Sequence, residues 1–315
     1  MSGVRALDVP RRKGKQGRVL LLLLAVALCC LVMVTEMPVK LIGPFGSKLP
    51  NMLELVPATL PGVPTYYHAV PSLKLSYCPI SKNMNTVLKE IFLFLFDGQK
   101  YNISQQAQIK GVWALPGKVM PRIKEMDHYY NQEWDHMVVT RHPVDRIISA
   151  WLHKCYKEKK YCYNCPPDDF RCFVEMTYYR TLKLSRNIRH VQNYYSGNVE
   201  THWFPQTWRC YLGTKRDFQF FIRYDRSMDF YSRLEYLFRI HHVREDKLSV
   251  IKRKLLSGQV SHSTYKVFDK KIKELKTILN EDCHTLKLFY ATYYYDFKLL
   301  NYTLDPKSDT SCFYN

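Results

Sequence analysis

The sequence lacks the short motifs that would assign a function directly. It contains no Gly-x-x-x-x-Gly-Lys pattern, which argues against an ordinary nucleoside-triphosphate site. It also contains no Asp-x-Asp motif of the kind expected where a glycosyltransferase binds a metal; the nearest match, Asp168-Asp169, lies in a cysteine-rich segment. No internal repeat is present. A glycosyltransferase is therefore an alternative that the sequence does not favour.

Acidic residues are scarce. The chain has 28 Asp and Glu against 47 Lys and Arg, a net charge of +19. Six basic residues and one acidic residue in positions 1–18 give +5, which leaves +14 for the rest. Such a charge indicates an anionic partner. The run Lys252 to Lys276 supplies much of it and reads in part as a solvated basic face.

One stretch is long, apolar and uncharged. Val19 to Val34 would cover ~24 Å as a helix, enough for a thin bilayer. The basic residues before it favour a cytoplasmic N-terminus, so we predict a cytoplasmic tail (1–18), a membrane anchor (19–35) and a lumenal body. A cleaved signal peptide is the alternative, but no small-x-small site follows the apolar run. Behind such an anchor we expect no nucleic-acid partner, so the charge indicates a polyanionic glycan or an anionic nucleotide cofactor.

The cysteines and two sequons agree with a lumenal body. Eight of the ten cysteines follow the predicted anchor, and this even number predicts disulfides. The sequence does not determine which cysteines pair. A zinc site is the alternative, because Cys162 and Cys165 have ligand spacing, but a second close pair is missing. Asn102 and Asn301 begin glycosylation sequons.

Residues 36–72 are rich in Pro and Gly and read as a stem, followed by one domain over 73–315. Strands are predicted at 74–78, 136–140 and 218–224. Helices are predicted at 86–96 and from Pro143, whose fixed φ suits a first helical turn. The last third reads as mostly helical. Strands alternating with helices predict an α/β fold on a parallel sheet.

Two strand-to-helix junctions carry the candidate chemistry. The segment Cys78 to Thr86 resembles a shortened P-loop, with Lys82 in a polar turn and Thr86 entering a helix, where N–H groups favour an anion. In the second, Arg141 ends a strand and Ser149 lies two turns into the next helix, an arrangement suited to phosphate.

The second junction, Arg-x-Pro-x-x-Arg-x-x-Ser-Ala from Arg141, resembles the 3′-phosphate-binding segment of sulfotransferases that use 3′-phosphoadenosine 5′-phosphosulfate (PAPS). The nearest group is the Golgi carbohydrate sulfotransferases that include the chondroitin 4-O-sulfotransferases. The cysteines from Cys155 to Cys172 are similar to a nematode-type branch, and His202 to Cys210 also fits. The resemblance implies a P-loop-like sulfotransferase fold and a single-pass type II Golgi enzyme that needs no metal.

The resemblance also implies site residues. The 5′-phosphosulfate loop would comprise Ser81, Lys82, Asn83, Asn85 and Thr86, and Arg141 and Ser149 would bind the 3′-phosphate. Lys82 would act on the leaving group, and His202 would be the base that deprotonates the acceptor. The acceptor would be a glycosaminoglycan of the chondroitin type. The loop departs from the family at Ser81 and Asn85, so an inactive glycan-binding protein is the main alternative.

Overall fold

The structure, a computed structural model, describes residues 53–63, 66–96, 122–123, 134–187, 191, 199–214, 219–225, 227–256, 268–304 and 312–313. The predicted tail, the anchor at 19–35, most of the stem and the sequon at Asn102 lie outside these ranges. Among the described residues, no helix is both long enough and apolar enough to cross a membrane.

A five-stranded sheet forms the centre of the domain. Its strands are β1 (Tyr67–Val70), β2 (Leu75–Cys78), β3 (Arg122–Ile123), β4 (Asp135–Arg141) and β5 (Gln219–Tyr224), in the order β3-β1-β2-β4-β5. Strands β2, β4 and β5 run parallel, and β1 is antiparallel to both β2 and β3. The predicted α/β fold with a parallel sheet is thus confirmed for the three strands foreseen from sequence. The antiparallel edge was not foreseen.

Helices follow the strands and make up most of the C-terminal third. They are α1 (Asn85–Phe96), α2 (Pro143–Trp151), α3 (Phe170–Arg186), α4 (Met228–Ile240), α5 (Glu245–Leu256), α6 (Asp269–Glu281) and α7 (Cys283–Leu300). A π-helical turn, Leu152–Tyr156, continues α2. Short 3₁₀ turns span Pro71–Leu73, Val199–His202 and Gln206–Trp208.

Apolar side chains cover the sheet on both faces. On one face, α1 packs its helically spaced Val87, Ile91 and Phe92 beside Leu234 of α4 and Ile251 of α5. A second cluster contains Tyr67, Val138, Leu212 and Leu300. Because β2 and β4 are parallel neighbours, their carboxyl ends meet at the same sheet edge, the usual place for a ligand site in an α/β fold.

The domain begins earlier than the predicted boundary at residue 73. Val56 is 1% exposed, and its N–H donates to the carbonyl of Ala291 at 3.1 Å. Trp208 Nε1 donates to the carbonyl of Pro57 at 2.8 Å, and Tyr67–Val70 is a strand of the sheet. Composition alone assigned this proline-rich segment to the stem, whereas its few apolar residues pack against the domain.

All eight cysteines after residue 35 form disulfides. The pairs are Cys78–Cys210, Cys155–Cys162, Cys165–Cys172 and Cys283–Cys312. The prediction of disulfides is confirmed, and the zinc alternative is wrong because each of its four cysteines is bonded to another. The first pair joins the end of β2 to the segment that follows Trp208.

Candidate active site

The turn between β2 and α1 has an unusual backbone. Lys82 (φ 72°) and Met84 (φ 59°) are in the left-handed region, and Asn83 between them is not. Each such non-glycine residue costs on the order of 1–3 kcal/mol and persists only where its surroundings hold it. Alternation of this kind is characteristic of backbone nests, in which successive N–H groups face one anion. The backbone of the loop therefore resembles such a nest.

Two of the loop residues predicted to bind cofactor make side-chain contacts within the protein. The Asn83 side chain is 1% exposed, and its amide donates to Val139 O at 2.8 Å and to Gln206 Oε1 at 2.6 Å. Asn83 therefore anchors the loop to β4 and is not placed to contact a cofactor through its side chain. Asn85 is the first residue of α1, where its Oδ1 accepts a hydrogen bond from Tyr77 Oη at 3.3 Å.

Ser81 and Thr86, the remaining loop residues predicted to bind cofactor, are both partly exposed. The carbonyl of Ser81 accepts a hydrogen bond from Arg146 Nε at 3.2 Å. Thr86 is the second residue of α1, close to the helix N-terminus that favours an anion.

Lys82 extends from this loop to a histidine that the sequence did not single out. Its Nζ lies 2.7 Å from His153 Nδ1, in the π-helical turn after α2. Burial lowers the pKa of Lys82 to about 7, and the nearby charges of Lys154 and Arg141 contribute. The site thus concentrates positive charge, as a site for an anion requires.

Arg141 lies at the end of β4, where it was predicted. It is 5% exposed, its Nη1 donates to the carbonyl of Lys82 at 3.0 Å, and its guanidinium lies 5.4 Å from the centre of the Tyr224 ring. Arg141 therefore supports the loop in addition to any contact with a phosphate. Ser149 is 7% exposed in α2. The structure brings the two predicted phosphate-binding segments together.

Arg146 connects three segments of the site. It is 1% exposed, and besides Ser81 its Nη1 donates to the carbonyl of Phe204 at 2.7 Å. Its position in the Arg-x-Pro-x-x-Arg motif was the available signal. The motif alone did not indicate that this arginine would have a structural role.

A buried amide network lies behind the loop. Gln206 Oε1 accepts from the N–H of Arg141 at 3.0 Å, and its Nε2 donates back to the Arg141 carbonyl at 2.8 Å. The carboxylate of Asp296 in α7 accepts from the N–H groups of Gln206 and Thr207, each at 2.9 Å. Burial raises the pKa of Asp296. Nothing in the sequence around Asp296 indicated this role.

His202 ends the 3₁₀ turn Val199–His202 near Lys82. Its Nδ1 lies 2.8 Å from the carbonyl of Val199. Because a carbonyl only accepts, Nδ1 carries the proton and Nε2 is left as the basic nitrogen. Burial, followed by the charge of Lys82, lowers the pKa of His202 to about 3. His202 is therefore a neutral imidazole near neutral pH.

The aromatic residues next to His202 belong to the core. Trp203, Phe204 and Trp208 are 1%, 2% and 3% exposed. They do not offer faces to a sugar ring. Their burial instead fixes the segment that carries His202.

Comparison with known proteins now decides the family. The family model described as "Sulfotransferase family" matches residues 67–303. The chain belongs to the sulfotransferase family. It is 25% identical over 260 residues to the Caenorhabditis elegans protein named "Uncharacterized protein C18B2.2", covering 76% of this chain and 70% of that protein. It is 26% identical over 220 residues to carbohydrate sulfotransferase chst-1 of the same organism, covering 63% and 64%. No solved structure matches.

The charges of this sulfotransferase domain fit an anionic co-substrate. Glu158, an acidic side chain that raises the pKa of Lys82, already lies 3.2 Å from Lys154 Nζ and 2.8 Å from Lys160 Nζ. No group of three or more possible metal ligands occurs among the same residues. The excess positive charge around Lys82 is the feature that a phosphosulfate would neutralise.

Proposed function

We propose that this protein transfers a sulfuryl group from PAPS to a hydroxyl group of a glycan. The observation that carries the proposal is that Lys82, Arg141 and His202 converge at one edge of the sheet. There, burial and neighbouring cations lower the pKa of Lys82. The family match and the relative named as a carbohydrate sulfotransferase support it.

The binding half of the mechanism follows from the two loops. The backbone N–H groups around Lys82 and Met84, with the start of α1, would hold the 5′-phosphosulfate. Arg141 and Ser149 would hold the 3′-phosphate through charge-assisted hydrogen bonds. When bound, PAPS supplies the sulfuryl group and its leaving phosphate.

The chemical half divides between Lys82 and His202. As the bond between sulfur and the 5′-phosphate oxygen breaks, the Lys82 ammonium stabilises the negative charge that develops on that oxygen. The acceptor oxygen forms the new bond to sulfur, and its proton passes to Nε2 of His202. The bound anion raises the low pKa of His202, because it offsets the Lys82 charge that contributes to that low value.

The acceptor and the location belong to the same proposal. We infer that the acceptor is a chondroitin-type glycosaminoglycan, because the residues after the first 18 carry a net charge of +14. We also infer that the protein belongs to a nematode-type branch of the carbohydrate sulfotransferases. The protein would be a single-pass type II protein of the Golgi membrane, anchored through residues 19–35. Asn301 is exposed at the end of α7, as a glycosylated residue must be.

The test is sulfuryl transfer by the full-length protein in detergent. Labelled PAPS is incubated with unsulfated chondroitin, heparosan and unsulfated keratan, and the product is digested with chondroitinase. We expect label in chondroitinase-sensitive product, lost in Lys82→Ala and kept in Lys157→Ala, a matched exposed lysine. Retention on immobilised adenosine 3′,5′-bisphosphate without transfer to any acceptor would favour a protein that binds cofactor without turnover. Loss of both would contradict the proposal.

A further inference from the structure

The contact between Lys82 and His153 is close and specific. The two nitrogen atoms lie 2.7 Å apart, across 71 positions of sequence. A lysine amine ends a long flexible stem, so its position is defined only where a partner fixes it. In this structure that partner is an imidazole.

The direction of the hydrogen bond follows from the groups present. When Lys82 is charged, its ammonium carries donors and no acceptor, so His153 Nδ1 accepts and the imidazole proton is on Nε2. An imidazolium at this point would add a further positive charge to a site in which cations already lower the pKa of Lys82. A neutral imidazole is therefore the arrangement with the least repulsion.

The backbone and the buried residues on either side of His153 fix its position. The N–H of Lys157 donates to the carbonyl of Leu152 at 3.0 Å, the five-residue spacing of a π-helix. Leu152 and Cys155 are fully buried, and the disulfide Cys155–Cys162 closes directly after the turn. Turns of this π-helical kind are frequent at functional sites. His153 is thus presented by a fixed segment and not by a mobile loop.

We propose that His153 is a positioning residue for the sulfuryl transfer proposed above: its neutral Nδ1 accepts a hydrogen bond from the Lys82 ammonium and holds it in the site. This inference rests on the proposed function. A carboxylate in this place would also hold the lysine, but it would cancel the charge that the phosphosulfate needs. An uncharged acceptor orients the ammonium and leaves its charge available.

Several charged groups surround the pair and bear on the test. Four of them act on the pKa of Lys82: Arg141 at the end of β4, Arg146 in α2, Lys154 in the π turn and Glu158 directly after that turn. The charge of Lys82, after burial, in turn lowers the pKa of His202. Arg141, Arg146, Lys154, Glu158 and His202 are all unchanged in the variants below, so a shift in the pKa of Lys82 reports on His153.

The experiment compares His153→Leu with His153→Asn in the full-length protein. Leucine fills the space without an acceptor, whereas the asparagine oxygen can replace Nδ1. The pKa of Lys82 is measured without any cofactor, from the pH dependence of its labelling by acetic anhydride read by peptide mass spectrometry. Turnover is measured with PAPS and unsulfated chondroitin, and binding with adenosine 3′,5′-bisphosphate. His284→Leu, an exposed histidine of α7, is the control.

We expect His153→Leu to lower the labelling pKa of Lys82 and to reduce kcat by about 10- to 100-fold, the effect of losing one hydrogen bond to a charged group. Bisphosphate affinity should change less than about threefold, because the role is one of orientation. His153→Asn should recover most of both losses. An unchanged or raised labelling pKa in His153→Leu, or an asparagine variant as slow as the leucine variant, would overturn the inference. If the wild type neither binds bisphosphate nor transfers label, the proposed function fails, whereas the labelling result still decides whether His153 holds Lys82.

Discussion

Binding of adenosine 3′,5′-bisphosphate should take up a proton on Lys82. The pKa of Lys82 lies at about 7 in the unliganded protein, against an ordinary value of 10.5, chiefly because the side chain is buried and then because cations surround it. Phosphate oxygens beside the amine favour its charged form, so binding should return the pKa towards 10.5. At pH 8 the free lysine is only ~10% protonated, so binding takes up ~0.9 proton.

The sign of the pH dependence follows from this uptake. A ligand that binds together with a proton binds more weakly as the pH rises, so affinity should fall by about tenfold per pH unit between about 7.5 and 9.5. Below about pH 6.5 the lysine is already charged, and this contribution disappears. The phosphates of the ligand titrate near pH 6, so at pH 8 they do not contribute to the uptake.

Isothermal titration calorimetry in buffers of different ionisation enthalpy measures the protons directly. At pH 8 the apparent enthalpy should depend on the buffer, with a slope of about one proton per site. Lys82→Met should remove that dependence, and Lys157→Met, an exposed lysine, should keep it. A wild-type enthalpy that is the same in all buffers at pH 8, or a dependence that survives in Lys82→Met, would refute the reasoning.

Four other predictions concern Arg141, His202, the pH dependence of stability and Asn301. Arg141→Ala should weaken bisphosphate binding by ten- to a hundredfold in calorimetry, since a charge-assisted hydrogen bond contributes about 1.5–3 kcal/mol; a lower melting temperature with normal binding would restrict Arg141 to its contact with the Lys82 carbonyl. His202→Ala should reduce transfer by about 10²–10⁴-fold with bisphosphate binding intact, and more than about a tenth of wild-type activity would exclude His202 as the base. The pKa of His202 is lowered to about 3 and that of His136 to about 4, so the melting temperature should decline as the pH falls from 6.5 towards 4, because the unfolded chain takes up those protons first; a flat profile would contradict this. Glycosidase treatment of protein from cells should increase gel mobility, and Asn301→Gln should remove part of that shift; no shift, with a protease-sensitive C-terminus in intact microsomes, would contradict the lumenal topology.

The helices and strands that could be predicted from the sequence are those determined by the pattern of neighbouring residues. The buried strand that ends at Arg141 and the helix that begins at Pro143 each follow from a short run of residues, and both were predicted. The strand Tyr67–Val70 was missed because its neighbours are prolines and glycines, while its stability comes from pairing with β2. Composition describes a segment by itself and does not reveal what it packs against.

The residues of the candidate site likewise differ in whether a local sequence pattern indicates them. Lys82 and Arg141 each belong to a short motif in which the spacing of nearby residues indicates an anion site, so the sequence indicated them. His153 follows a helix that the pattern predicted, but its contact depends on a π turn, which shifts the side-chain directions after Trp151. Asp296 lies 90 positions from Gln206, and no local pattern links the two.

The buried amide of Gln206 explains how an atypical loop can still be held in place. It connects the Asn83 amide of the 5′ loop to the backbone of Arg141, and Asp296 holds the backbone of Gln206 itself. Because these groups are buried, removing any one of them leaves another without its partner, at a cost of about 1–3 kcal/mol. The loop, the strand end and the segment after His202 are thus held in one network. This network supports the left-handed conformation of Lys82 through contacts that do not use the side chains of Ser81 and Asn85, the two positions at which the loop departs from its family.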